Sequence, residues 1–525
     1  MIIFKIFSRP YFPRLMKVRS LQTETDNVQE IKNIKFLCKH LNLSEIKAQS
    51  LIKKRPVIAN LNEERIKSLL ECLDEIGLPK EILVEKPVFF GIDPITIKRR
   101  HQVLIECGMD NMASALLATY LQIMKRKTIG ELKKSGYIPA PINVENRLSS
   151  YLKHWPKPVT PSTNDRITLY TLRLRIMQKY LELFIDVTDE EFQRAIKTYD
   201  SIAHRPLGYI NEALSILQSQ IGIPNLKIKS NLYLLYADPE NLKNILKHFQ
   251  SLGGIDMREV IKMYPRIAVV NFQNLLEIKK LLEEYQISNE AQQRCFNIYN
   301  LSVKSVKERL EEAKNMPEFN IYYKHPSFLN MIYRNNLVIK RLNTLNKNNK
   351  KCITLNILLR TSTHYKDFVK SSNDKLSKGK DLIFCIYELL GRKFSKSQIR
   401  DIVQRHPFWL YTPLLRVKHI HEQLSTQYTD QEIFENCQIL LYPLEKVEDT
   451  AHMLQQMTLP TYSNIIHEKL NFNLLNNSQK LSLVLYILER NHDFSGNGVW
   501  LDKENVNIDE LIKHNEADCK ASENL

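Results

Sequence analysis

Six prolines recur along the chain, at Pro56, Pro87, Pro206, Pro265, Pro326 and Pro407, each with a basic residue within the three positions before it and apolar residues soon after. Successive gaps are 31, 119, 59, 61 and 81 residues, and the first four approximate one, four, two and two copies of a period near thirty. A period of that size marks stacked supersecondary repeats, because each repeat has an apolar stripe that only its neighbours can cover. Glycine supports long helices with few sharp turns: 13 in 525 residues, against a usual share of about 7 %. A sheet fold built on glycine-rich phosphate loops is disfavoured by the same count.

The unit is clearest from Leu43 to Leu78. Ser44 can cap a helix running toward Lys54, with Ala48, Leu51 and Ile52 on one side and Ile46 off it. Pro56 ends that helix, since proline disfavours helical geometry in the residue before it. Val57, Ile58 and Leu61 suit a short tight turn, Asn62 can cap a second helix carrying Ile66, Leu69, Leu70, Leu73 and Ile76, and Gly77 stops it. Capping-box pairs Thr188/Glu191, Ser395/Gln398 and Thr429/Glu432 stand before Pro206, Pro407 and Pro443. Pro443, 36 residues after Pro407, reads as a seventh copy without its basic residue. Copies lacking the proline are expected over 110–180, 224–254 and 287–315, giving ten or more helical units in an array over 30–460. Lysine-rich stretches 344–351 and 370–380 read as inserted loops, and Gly253-Gly254 as a helix stop. Residues 461–525 form a C-terminal extension whose end, 490–525, holds eight acids against four bases. The expected fold class is all-α: a curved solenoid of roughly 30-residue helical repeats with a basic groove.

Net charge is +17, from 75 basic and 58 acidic residues, so an anionic partner is favoured, nucleic acid before a membrane surface. A basic surface with no polyanion partner is the plainer alternative. Residues 1–22 carry Lys5, Arg9, Arg14, Lys17 and Arg19 among aromatic and apolar residues, with no acid before Glu24. That is the pattern of a mitochondrial transit peptide and predicts the matrix as destination. No later stretch approaches the roughly 18 apolar residues of a membrane span, so integral membrane association is not expected. The eight cysteines include no Cys-x-x-Cys pair and read as small buried hydrophobes.

No enzyme constellation stands out: Gly-x-Gly-x-x-Gly, a Gly-Lys-Ser/Thr phosphate loop, His-Glu-x-x-His and Gly-x-Ser-x-Gly are all absent. His419 and His421 are two apart and would not face each other on a helix, so no metal site, no catalytic residue and no cofactor are expected. The recurring chemical signal is the basic residue near each proline: Lys54, Arg55, Lys86, Arg205, Lys262, Lys324 and Arg405. Equivalent positions of stacked repeats fall along one edge, so these seven are the candidate phosphate contacts. Each could instead complement the negative end of its helix dipole. Phe408-Trp409-Leu410-Tyr411, Tyr322-Tyr323 and Tyr333 could stack on bases, though core packing is the more economical reading.

The basic leader, the period near thirty and the helix–proline–turn–helix plan of Leu43–Ile105, Thr188–Asn271 and Phe394–Met453 resemble the mitochondrial transcription termination factor (mTERF) family, and the overall length, the lysine-rich insertions and the acidic end look similar to its insect branch. The resemblance implies a left-handed helical solenoid lying along double-stranded DNA, its concave basic face on the phosphates, with some members bending or unwinding the duplex and everting bases. It implies a non-catalytic, DNA-binding regulator of mitochondrial transcription. An RNA-binding or ribosome-assembly adaptor on the same scaffold is the alternative, since some members act there. Mitochondrial duplex DNA is the expected partner; ribosomal RNA or another transcription factor would fit the alternative.

Overall fold

The computed structural model describes residues 24–110, 114–153, 155, 165–372, 374–376, 379–456, 472 and 475–490. The leader 1–22, the acidic end 491–525 and most of the extension from 461 onward lie outside the described residues. The chain divides into two compact units, Met1–Lys243 and Asn244–Leu525. Both are built from α-helices. Among the described residues the strands are one two-residue hairpin, Ser251–Leu252 with Ile255–Asp256.

One local frame recurs seven times among the described residues: a helix, a kinked residue, a five-residue 3-10 turn, one extended residue, an N-cap and a second helix. The turns are Pro56–Asn60, Pro87–Gly91, Asp200–His204 and Leu232–Tyr236 in the first unit, and Pro265–Val269, Phe296–Asn300 and Cys437–Leu441 in the second. The third residue of every turn is apolar and at most 1 % exposed: Ile58, Phe89, Ile202, Leu234, Ile267, Ile298 and Ile439. Its backbone N–H donates to the carbonyl of the kinked residue at 2.8–3.2 Å in all seven. The second helix begins seven positions after the turn does, and its fourth residue is again buried: Ile66, Ile97, Ile210, Leu242, Leu275, Val306 and Val447.

This frame corrects the proline count. Only Pro56, Pro87 and Pro265 open a 3-10 turn. Pro206 lies six residues into its module, in the N-cap position of helix Leu207–Ser215. Pro443 has the same offset, before helix Leu444–Gln456. Pro326 lies just before helix Phe328–Tyr333, outside any such turn. The kink is not proline's doing alone, because Tyr199, Asn231 and Cys295 precede no proline yet lie at φ of −129 to −148° and ψ of 54–65°, close to the −126 to −141° and 75–87° of Arg55, Lys86 and Tyr264. A buried apolar anchor with a proper hydrogen-bonded turn is enough to impose it.

Neighbouring modules are latched through the residue that leaves the turn at Leu61, Ile92, Ala237 and Leu301. Its carbonyl accepts from a side chain supplied earlier in the chain: Asn33 Nδ2 to Leu61 O at 2.8 Å, Arg65 Nη2 to Ile92 O at 3.3 Å, and Arg205 Nη2 to Ala237 O at 2.6 Å in the first unit. Asn274 Nδ2 to Leu301 O, at 3.0 Å, repeats it in the second. Within units, turn packs on turn: Pro56–Asn60 on Pro87–Gly91, Asp200–His204 on Leu232–Tyr236, and Pro265–Val269 on Phe296–Asn300. The capping boxes at Thr188, Ser395 and Thr429 form, and so does one at Thr128/Glu131 that the sequence reading passed over.

Three further readings change. Residues 344–347 are not loop but the last turn of helix Asn335–Lys347. Gly253 and Gly254 are not a helix stop: at φ of +57° and +80° they form the two-residue turn of the hairpin, a geometry that glycine adopts without steric cost. Residues 110–180 hold short helices such as Tyr120–Arg126 and Ile129–Lys134 and the long Leu169–Ile185, with no five-residue 3-10 turn among those described.

Candidate nucleic-acid interface

In the first unit, helix Glu45–Lys54 ends on the exposed Lys54, and the exposed Arg55 is the kinked residue after it. Lys86, also exposed, is the kinked residue of the next module. Because the two 3-10 turns pack together, Arg55 and Lys86 occupy matching places on adjacent turns. No ion pair engages Lys54, Arg55 or Lys86 among the described residues. The matching residue in later modules is Tyr199, Asn231, Tyr264, Cys295 or Asn436, so this register does not carry a cation throughout.

A second basic register was read only at Lys262. Three residues before the turn stand Lys53, Lys197 and Lys229 in the first unit and Lys262 in the second. Lys53 and Lys197 are exposed. Lys229 is tied to Glu191 at 3.2 Å and to the carbonyl of Asp186 at 2.6 Å, and Lys262 to Glu259 at 2.7 Å. Lys53 and Lys262 stand three before a proline, but Lys197 and Lys229 show only when modules are aligned on the buried third turn residue.

Arg205 departs from the expectation. It is 1 % exposed, and its guanidinium serves the carbonyls of Tyr236 and Ala237. Burial, and then the nearby Arg99, pull its pKa down to about 10. Arg205 is therefore an internal latch, and its guanidinium is not presented to a ligand at the surface. Around it lies a buried polar network. Glu106, fully buried, accepts from Arg173 Nη1 at 3.0 Å, from Leu207 N at 2.8 Å and from Gly208 N at 2.9 Å. Pro206 offers no side-chain cap to helix Leu207–Ser215; Glu106 supplies the anion that the helix N-terminus favours.

Beside this network is a chain of cations and rings. Arg100 lies over the Tyr120 ring at 5.2 Å, Tyr120 Oη is 3.0 Å from His204 Nδ1, the His204 and Tyr170 rings are 5.6 Å apart, and Lys125 Nζ lies over Tyr170 at 4.7 Å. Burial, and next the charge of Lys125, hold His204 down to about 4, so the imidazole is neutral at neutral pH. Lys125 is exposed and Arg100 half-buried, which leaves their charge facing outward with aromatic support beneath.

In the second unit Lys324 and Arg405 are exposed. Arg405 stands two residues before Pro407, the spacing that Lys54 has to Pro56. The aromatic candidates divide. Tyr322 is buried, its hydroxyl donating to Ile353 O at 3.2 Å, and Phe408 is buried too, so neither is a base platform. Tyr323, Tyr333, Trp409 and Tyr411 are half-buried. His421 is buried with Nε2 4.0 Å from Asp430 Oδ1, while His419 points to solvent. Among the described residues no group of three His, Cys, Asp or Glu side chains could hold a metal ion, and no helix is long and apolar enough to cross a membrane.

No family model matches the chain and no solved structure matches it. Among curated proteins it is similar to "Transcription termination factor 5, mitochondrial" of Drosophila melanogaster, at 27 % identity over 485 residues, which is 92 % of this chain and 86 % of that protein. A relationship running through both units and nearly all the modules described above supports membership of the mitochondrial transcription termination factor family, with an insect relative.

Proposed function

We propose that this chain is a non-catalytic, DNA-binding regulator of transcription in the mitochondrial matrix, gripping the duplex through the cation-bearing side of a curved array of modules. The observation that carries this reading is a coincidence. The relationship to a mitochondrial transcription termination factor spans 92 % of the chain, and solvent-facing cations recur at matching places of its modules. Arg55 and Lys86 on packed turns are the plainest case, with Lys53, Lys54 and Lys197 nearby in the frame and Lys324 and Arg405 in the second unit. Such side chains, held by helix ends but free of carboxylates, neutralise phosphates and release counterions. A bound array would halt or position a polymerase without any chemistry of its own.

Titrating the protein against mitochondrial duplex DNA over a salt series tests the proposal. The expected log–log slope is about −0.9 for each phosphate neutralised, so several contacts give a steep fall. Binding that is undetectable or indifferent to salt removes the reading. Recovery of ribosomal RNA rather than mitochondrial DNA by crosslinking in mitochondria replaces it with the adaptor role.

A further inference from the structure

Helix Asn335–Lys347 departs from the charge pattern of the helices aligned with it. It opens thirty-two residues after helix Val303–Asn315 and sixty-three after helix Phe272–Glu284, and its fourth residue, Val338, is buried like theirs. In the shared frame the second, sixth, ninth and thirteenth residues form the outward stripe. In helix Phe272–Glu284 these are Gln273, Glu277, Lys280 and Glu284; in Val303–Asn315 they are Lys304, Glu308, Glu311 and Asn315. Both stripes mix signs, as a merely solvated face does. In Asn335–Lys347 they are Asn336, Lys340, Asn343 and Lys347.

All four are exposed, and no Asp or Glu occurs anywhere from 335 to 351. At 100° per residue the four fall within about 60° of arc, along about 16 Å of helix. Glu312 reaches the helix only at its start, where it accepts from the buried Asn335 at 2.8 Å. No ion pair or side-chain hydrogen bond engages Asn336, Lys340, Asn343 or Lys347 among the described residues. The stripe therefore alternates primary amides with ammonium groups, seven residues from like to like, with no acid to answer them.

We infer that this stripe is a base-reading element which enters the major groove of duplex DNA, Asn336 and Asn343 meeting base edges while Lys340 and Lys347 meet phosphates. The inference rests on the DNA-binding reading above and adds the site of sequence choice to it. A carboxamide donates and accepts at once and so matches adenine N6 and N7, whereas an ammonium carries charge without discrimination. A helix of ordinary diameter fits a groove about 12 Å wide. Charge complementarity selects the polyanion, and the amides between the lysines favour a base edge over a plain phosphate track.

The test compares the full chain with N336A/N343A and K340Q/K347Q, on a duplex that the wild type selects from a random library and on its scrambled counterpart. Circular dichroism and thermal melting confirm that all three proteins are folded, as expected for exposed positions. The amide variant is expected to lose about thirtyfold or more in preference for the selected duplex, from two bidentate contacts at about 1–3 kcal/mol each, with its salt slope intact. The lysine variant is expected to weaken on both duplexes alike and to lose about 1.8 from the slope. If the wild type binds duplex DNA with steep salt dependence and both variants match it, the inference is overturned and the broader reading stands. If the wild type binds no duplex, or binds RNA alone, the broader reading falls and takes this one with it.

Discussion

Arg205 shows how far one residue's neighbourhood can redefine it. In the sequence it is a cation before a proline, like Arg55; in the fold it is a sealed donor to two carbonyls, beside Glu106 and Arg173. Nothing local distinguishes the two arginines, because the partner that closes the network, Glu106, comes 101 residues before the helix it caps. Removing one member of a buried ion pair costs about 3–5 kcal/mol, since the other is left uncompensated. Glu106→Ala is accordingly expected to lose that much in urea unfolding, and Glu106→Leu with Arg173→Met together to lose less than Glu106→Ala alone. A second residue-scale effect concerns Asp381, whose carboxyl is pushed up to about 6 by burial, against backbone N–H groups of Leu355 and Asn356 that favour the anion. The folded state thus holds this proton more tightly than the unfolded chain does. Its contribution to stability is greatest below about pH 4 and is lost as pH rises through 6. Asp381→Asn should flatten that part of the profile, read from denaturant midpoints between pH 4 and 8.

At the scale of the element, the recurring object is the 3-10 turn with its buried third residue, not the proline that makes it conspicuous. Proline suits the first position because its φ is preset and its missing N–H is not needed there. Asp200, Leu232, Phe296 and Cys437 fill the same position without it. A direct comparison follows: Ile58→Ala should cost about 2–5 kcal/mol in a denaturant melt, whereas Pro56→Ala should cost about 1 kcal/mol or less, chiefly through the unfolded chain. Equal losses would restore proline as the organiser. Helix starts were legible in the sequence wherever a capping residue and its partner are three apart, because that chemistry is local; Thr188/Glu191 and Thr429/Glu432 form as read. The module frame was legible only in part. An isoleucine in a turn looks like any other isoleucine until several copies are laid against one another.

For the whole molecule, the balance between internal and external cations decides what a polyanion would meet. Arg65 and Arg309 spend their guanidinium groups on neighbouring carbonyls or carboxylates, and Arg341 does so on the carbonyls of Leu358 and Arg360. A formal charge of +17 therefore overstates the freely presented charge, and the number of exposed, unpaired side chains is the better guide to salt dependence. Arg55→Gln with Lys86→Gln should lower the log–log salt slope on duplex DNA by about 1.8 while leaving the melting temperature nearly unchanged. Loss of stability with an unaltered slope would instead mark both as dipole-complementing residues. Composition alone pointed to a polyanion; only the packed turns distinguish cations turned outward from those committed within.

The carbonyls that leave the 3-10 turns at Leu61, Ile92, Ala237 and Leu301 are answered by side chains from earlier in the chain. Chains wired in this way can lengthen or shorten only in whole steps. Duplicating or excising one whole module returns donors such as Arg65 and Asn274, each the third residue of its helix, to an equivalent acceptor, whereas a shift of ten residues strands both. Size differences among relatives of this protein should therefore cluster at multiples of one module, or be confined to stretches such as 110–180 where the motif lapses.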